Sequence, residues 1–180
     1  QRNFGFLLVL HMDYVGFQKK ITLSIARDSG MTVNIIRPSL VYGPNPKGNL
    51  GRMISGMRAG WFPRLEGIRN KKSLIHVDDL VRAILFLLHS SEANGEVFVV
   101  SDGKSYSTDD IYNILCSSYS IKPSPIYLSD SLISKLSNTS SFIASRLAKL
   151  TEDEYYSAEK ILSLGFKPKL MLKDINESLF

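Results

Sequence analysis

Short β-branched apolar runs alternate along this chain with stretches whose apolar positions keep a helical period. Phe4 to Leu10 is a continuous apolar run of strand length. From Tyr14 to Arg27 the positions Tyr14, Phe17, Ile21, Ile25 and Ala26 recur at helical spacing, and Gly30 supplies a stop. Val33 opens VNIIRP, the composition of a strand buried on both faces. It stops at Arg37-Pro38, because proline has no N–H for a sheet ladder and pushes the residue before it out of the helical region. A loop with Gly43-Pro44, Pro46 and Gly48 follows. It leaves a buried strand at its carboxyl end, where ligands sit in open α/β sheets.

Asn49 to Gly60 reads as a helix with Leu50, Met53, Ile54 and Met57 on one face and Asn49 as N-cap. Trp61 to Gly67 reads as loop, with Pro63 preventing regular structure. Ser73 to Val77 is a short strand, and Asp78-Asp79 caps an apolar helix from Leu80 to Leu88. Val97 to Ser101 is another strand, turning at Asp102-Gly103. Ser107 and Asp110 form a capping box, with Asp in place of the usual Glu, for a helix through Cys116. Pro123 and Pro125 mark a loop, Ser129 to Leu150 is helix interrupted by serines, and Ser157 to Leu164 is a last helix ended by Gly165. Helix followed by strand, repeated, is the tail of a βαβ series in a parallel sheet.

Composition changes this picture little. The 180 residues are 44% hydrophobic and 22% charged, ordinary for a globular domain with a sizeable core. The formal net charge of +5 suggests affinity for anions, but the basic residues are scattered and Arg69-Asn70-Lys71-Lys72 is a short run. This favours a solvated surface or a phosphate contact over a nucleic-acid face. Cys116 is the single cysteine, which excludes an internal disulfide and fits a reducing compartment, so a cytoplasmic protein is expected. Phe4 to Leu10 is too short to span a bilayer, and no longer apolar segment follows. His76 has no third ligand at metal spacing in His11 or His89, and it reads as structural, with no metal expected.

The motifs occur in a telling order: Arg37-Pro38-x-x-Val41-Tyr42-Gly43-Pro44, Lys47-Gly48-Asn49, Lys72-Ser73-Leu74-Ile75-His76-Val77-x-Asp79-Leu80, Ser101-Asp102-Gly103 with Ser107-Thr108, and Leu164-Gly165-Phe166-x-Pro168. Each alone is weak. Together, from about Asp13 to the end, they resemble extended short-chain dehydrogenases/reductases, the NAD-dependent nucleotide-sugar epimerases and dehydratases. The resemblance is to the branch that is similar to uridine-diphosphate-glucose 4-epimerases and 4-keto-hexosamine reductases of surface polysaccharide.

That resemblance implies the C-terminal part of a Rossmann-like, doubly wound parallel sheet plus a smaller α/β substrate-binding domain. Residues 1–48 would be a remnant of the dinucleotide domain and 49–180 mainly substrate-binding, with 73–101 returning to the sheet. It implies an NAD (or NADP) cofactor, a UDP-sugar substrate and, by analogy, a homodimer.

The family's catalytic pair is a tyrosine and, four residues later, a lysine, one turn apart on a helix. The lysine cation lowers the phenol pKa and also meets the nicotinamide ribose. Here Lys19 stands in the lysine's place, but the position four before it is Val15, and Tyr14 stands five before. That offset rotates the phenol by about 100° on an ideal helix. Tyr14/Lys19 as catalytic pair, and Lys19 as a surface lysine beside a half-buried aromatic, both remain readings.

By the same resemblance Pro38, Ser39 and Leu40 line the nicotinamide side. Asn49 donates to the diphosphate, compatibly with a cap role, and Lys72 stands where relatives carry a diphosphate-gripping arginine, supplying charge without the bidentate fork. Arg52 and Arg69 are lesser candidates, and Trp61 either packs or borders the uracil. The chain holds no G-x-G-x-x-G loop and no serine-rich strand end in Gln1 to Met12, so tight dinucleotide binding by this chain alone is not expected.

The expected function is an NAD(P)-dependent nucleotide-sugar 4-epimerase or 4-ketosugar reductase, held here as a C-terminal portion. A non-catalytic nucleotide-sugar-binding module of the same fold is the rival. A steroid dehydrogenase of the same superfamily fits less well with basic residues near the diphosphate position.

Overall fold

A computed structural model describes residues 6–10, 32–44, 46, 48–65 and 67–175, the first of these stretches as backbone. The expected helix from Tyr14 to Arg27, and with it Tyr14 and Lys19, lies outside the described residues.

Three parallel strands form the larger sheet, in the order β1 (Phe6–Leu10), β2 (Thr32–Pro38), β6 (Val97–Val100). β2 lies in the middle, paired on both sides, which suits its β-branched residues Val33, Ile35 and Ile36. Two smaller parallel pairs join β3 (Leu40–Tyr42) to β5 (Leu74–His76) and β4 (Arg64–Leu65) to β7 (Tyr127–Leu128). The helices are α1 (Gly48–Arg58), α2 (Val77–His89), α3 (Thr108–Ser118), α4 (Asp130–Ser137), α5 (Ser141–Thr151) and α6 (Glu159–Ser163), with 3-10 turns at Ser91–Ala93 and Leu172–Asp174. Among the described residues no helix is long and apolar enough to cross a membrane.

Several sequence expectations need correction. The strand at Val33 does not give way to loop after Pro38, because the chain continues after one residue as β3 on a new partner. Pro63 does not prevent pairing at Arg64-Leu65, since β4 begins beyond it and the Arg64 N–H donates to Ile126 O at 2.9 Å. Asn49 is not the N-cap of α1, which already includes Gly48. Nor do Asp78 and Asp79 cap α2: the cap is His76, whose Nδ1 accepts from the Asp78 N–H at 3.2 Å. A ring nitrogen two residues upstream does here what a carboxylate does elsewhere. The Ser129 to Leu150 segment is two helices, broken at residues 138–140.

Among the described residues, three apolar clusters fill the interior. Tyr42, Leu74, the inner face of α1 (Leu50, Met53, Ile54, Met57), the inner face of α3 and Leu172 form the first. Ile36, Ile75, Leu80, Leu87, Phe98, Ile161 and Phe166 form the second, and Leu65, Ile68, Ile133 and Leu147 the third. Successive strand residues point to opposite faces. Leu74, with Leu40 and Tyr42, therefore faces the first cluster, whereas Ile75, with Val41, faces the second. The β3–β5 pair is a wall two strands wide between two cores, which is why its residues Leu74, Ile75 and His76 are all buried although the strands are only three residues long.

Candidate active site

Backbone hydrogen bonds trace how the chain leaves the larger sheet. Pro38 pairs with Val100 at the end of β2 and has no N–H to extend the ladder. The Ser39 N–H gives a last bond to Val100 O at 2.9 Å, and the next N–H, of Leu40, goes to Ser73 O at 3.2 Å. Just past β6, the Asp102 N–H likewise reaches Leu74 O at 2.7 Å. One residue therefore hands the chain from the larger sheet to the β3–β5 wall, and Pro38, Ser39 and Leu40 sit together at this carboxyl-end crossing. Ser39 is 7% exposed, yet its hydroxyl finds no hydrogen-bond partner among the described residues, and neither does the buried Nε of Arg37 on β2. A buried polar atom without a partner carries a desolvation cost of order 1–3 kcal/mol. Such atoms at the carboxyl ends of parallel strands mark a place where a ligand can supply the missing bond.

The other expected residues fall in two groups. Asn49 and Arg52 stand exposed on α1, three residues apart and so on neighbouring turns of one face. The polar end of Lys72 is engaged elsewhere. At 4% exposure, its Nζ donates to Lys149 O at 2.9 Å and meets Glu154 Oε2 at 2.9 Å. Lys149 lies in the last turn of α5, so the ammonium neutralises a helix C-terminus, the favourable end for a cation. Nearby, Asn70 Nδ2 donates to Leu150 O and Glu152 O at 3.0 and 3.1 Å, and its Oδ1 accepts the Thr108 N–H at 2.9 Å. Residues 70 and 72 thus tie the end of α5 to the start of α3.

Trp61 is 64% exposed and lays its ring over Gly56, where an added Cβ would stand 2.8 Å from it. Cys116 is buried, burial pushes its thiol above the ordinary range, and it packs as a small apolar residue.

Two concavities lie away from the crossing. One, of about 430 Å³, is bordered by Arg69, Asn70 and Lys71 and by Ser107, Asp109 and Asp110 at the start of α3. The other, of about 770 Å³, lies between α2 and the Leu164–Lys167 turn. Neither is lined by Pro38, Ser39, Leu40, Asn49, Arg52 or Lys72.

The sequence offered Asp79 only as a helix cap and did not point to Glu154 at all. Asp79 is fully buried and accepts the N–H groups of Lys169 and Leu170 at 2.8 and 2.7 Å, with Arg82 on its other oxygen. The Arg82 spacing of three residues was visible in the sequence, but nothing local announces a partner ninety residues away. Burial also raises Asp102 above the usual carboxylate range, against the opposing pull of the Tyr106 hydroxyl, 2.6 Å from Oδ2.

Comparisons with known proteins agree with a parallel α/β sheet of this kind. Residues 17–101 match the NAD dependent epimerase/dehydratase family. A UDP-glucose 4-epimerase of Vibrio cholerae is 31% identical over 161 residues, covering 87% of this chain and 48% of that protein. Among solved structures, the UDP-glucose 4-epimerase of Thermotoga maritima with UDP-glucose superposes at a TM-score of 0.61, with 19% identity over 88% of this chain and 48% of that one. UDP-glucuronic acid 4-epimerase of Bacillus cereus, with UDP-glucuronic acid and NAD, gives 0.61, with 17% identity over 87% and 46%. The structural likenesses establish a Rossmann-like α/β fold. The likeness to that family is carried by residues 17–101, and over most of its length the chain is similar to UDP-glucose 4-epimerase, matching the C-terminal portion of that relative. It spans about half the length of the curated relatives it matches.

Proposed function

We propose that this chain supplies the nicotinamide-side and sugar-nucleotide-binding portion of an NAD(P)-dependent 4-epimerase or 4-ketosugar reductase acting on a UDP-sugar, in a cytoplasmic route to surface polysaccharide. The observation that supports this reading most is the buried Ser39 hydroxyl, without a partner among the described residues, at the carboxyl-end crossing within the stretch that resembles the epimerase family. The relatives of known structure include proteins bound to UDP-glucose, UDP-glucuronic acid and NAD.

The residues present fit the nicotinamide end of such a cofactor. Pro38 and Leu40 offer apolar walls, and Ser39 Oγ and Arg37 Nε are buried groups with hydrogen-bonding capacity to spare. Bound there, the dinucleotide would supply hydride acceptance and return at the sugar carbon. The pyrophosphate has no glycine-rich turn to rest on within this sequence. In this reading Tyr14 exchanges the proton of the sugar hydroxyl, and Lys19 lowers its pKa and meets the ribose. Asn49 and Arg52, exposed on adjacent turns of α1, contact the diphosphate. Lys72 reaches the diphosphate only by giving up Glu154 or the end of α5. The division into a dinucleotide remnant over 1–48 and a substrate-binding part over 49–180, and a homodimer, belong to the same proposal.

Isothermal titration with UDP-glucose and with NAD tests it. UDP-glucose should bind, Asn49→Ala and Arg52→Ala should each weaken it several-fold, and NAD should bind far more weakly. Absence of UDP-glucose binding would defeat the reading. Binding without turnover, even in a chain carrying the dinucleotide half, would select the non-catalytic module.

A further inference from the structure

The tail that follows α6 is held at one residue, Leu170, from two sides. Leu170 gives its N–H to Asp79 Oδ2 at 2.7 Å, and its carbonyl accepts the Tyr42 hydroxyl at 3.3 Å. Asp79 is completely buried at the start of α2, takes the Lys169 N–H as well, and is held by Arg82, which also donates to Lys167 O at 3.2 Å. An isolated buried carboxylate would be costly, and the two tail N–H groups offset that cost only while the tail is docked.

Tyr42, at the other side of Leu170, is the last residue of β3. It is 2% exposed and meets the edge of His76 at a centroid distance of 5.2 Å. Burial pushes its phenol far above the ordinary value, which favours the protonated, donating form. Directly after it, Gly43 lies so close to α2 that an added Cβ would come within 2.6 Å of Val77 Cγ1. The chain then runs to α1, which carries Asn49 and Arg52, and the buried face of α1 shares a cluster with Leu172 and Ile175 of the tail.

We infer that Asp79 and Tyr42 are positioning residues that latch the tail peptide at Leu170 to the end of β3, so that the seating of α1 against a ligand and the docking of the tail are one coupled event. The inference rests on the nucleotide-sugar reading for its ligand. Its residues, bonds and burial stand apart from it. Coupling of this kind is reciprocal: a ligand that fixes α1 must also tighten the latch.

Trypsin reads the latch directly, because the Lys169–Leu170 bond carries the N–H that Asp79 holds. Native-state cleavage at this bond follows the population of the opened tail. In the unmodified chain, saturating UDP-glucose should slow cleavage about fivefold or more, the usual lower range of such coupling. Tyr42→Phe keeps the ring in its cluster and removes only the bond to Leu170. It should still bind UDP-glucose by titration, but its cleavage should no longer respond to ligand. Asp79→Asn should raise cleavage without ligand.

A purely structural tie would change basal cleavage and leave ligand protection intact. Equal protection in Tyr42→Phe, or UDP-glucose binding to the unmodified chain with no change in cleavage, therefore overturns the inference while the nucleotide-sugar reading stands. If no UDP-glucose binds, that reading fails instead, and a Tyr42→Phe cleavage rate equal to the unmodified chain's sinks the latch as well.

Discussion

Asp102 shows how a single buried carboxylate sets a pH response. It is 5% exposed, accepts the Lys104 N–H at 2.9 Å and the Tyr106 hydroxyl at 2.6 Å, and burial outweighs both in raising its pKa. A carboxylate raised in the folded state favours the protonated form there. Its contribution to stability is therefore present in acid, below the unfolded value, and is lost as pH rises through the folded value. Asp102→Asn mimics the neutral form at every pH. Urea midpoints measured between about pH 4 and pH 8 should fall with rising pH less in the variant than in the unmodified chain, since the unfolded carboxyl titrates near 3.9. An unchanged pH dependence would mean that Asp102 is not the group responsible. Lys72 teaches the complementary lesson at the same scale. Its position in the motif order suggested an anion, and its ammonium is instead satisfied by Glu154 and the end of α5.

At the scale of elements, local capping chemistry was legible where the partners are close in sequence. Ser107 and Asp110 form the reciprocal capping box expected from their spacing: the Ser107 hydroxyl takes the Asp110 N–H at 3.0 Å, and the Asp110 carboxylate takes the Ser107 N–H at 2.8 Å. Ser107→Ala should lower stability by about 1 kcal/mol, read as a shift in urea midpoint at unchanged slope. Gly165 likewise ends α6 as its position suggested. At φ +100° it closes a double C-terminal bond, its own N–H to Leu162 O and that of Phe166 to Ile161 O, at 2.9 and 3.3 Å. The apolar face of α1 was equally readable from its period. What escaped were elements whose reason lies far along the chain. β3 exists because Ser73 offers a carbonyl where proline ends the first ladder, and β4 because Ile126 does the same beyond Pro63. No pattern within five residues of either encodes that. The cap of α2 was misplaced because two aspartates look like better caps than the histidine that holds the role, while Asp79 is drawn inward by the tail. For the candidate site, the end of the first ladder at Pro38 was foreseeable from the proline break, whereas the crossing onto β3 was not, and the engagement of Lys72 depends on a contact with residues 149 and 154 that only folding brings near.

For the molecule as a whole, the decisive feature is that the β3–β5 wall belongs to two cores at once. Leu74 and Ile75 are adjacent and both wholly buried, but the first packs with α1 and α3 and the second with α2, Phe98 and the Phe166 turn. A cavity made on one face must then weaken the support of the other, because the strand backbone that carries both is the same. Ile75→Ala should cost about 2–5 kcal/mol, the range for truncating a buried isoleucine. Trp61, the sole tryptophan, lies over Gly56 of α1 and so reports on the first cluster, whereas Ile75 faces the second. If the wall couples the two cores, Trp61 fluorescence and far-ultraviolet dichroism will give coincident urea transitions in the unmodified chain, and Ile75→Ala will move both midpoints together. A fluorescence transition that stays in place while the dichroism midpoint falls would show the two cores unfolding separately. The candidate site sits at the crossing where they meet, so that result would remove the rigid support on which its geometry depends.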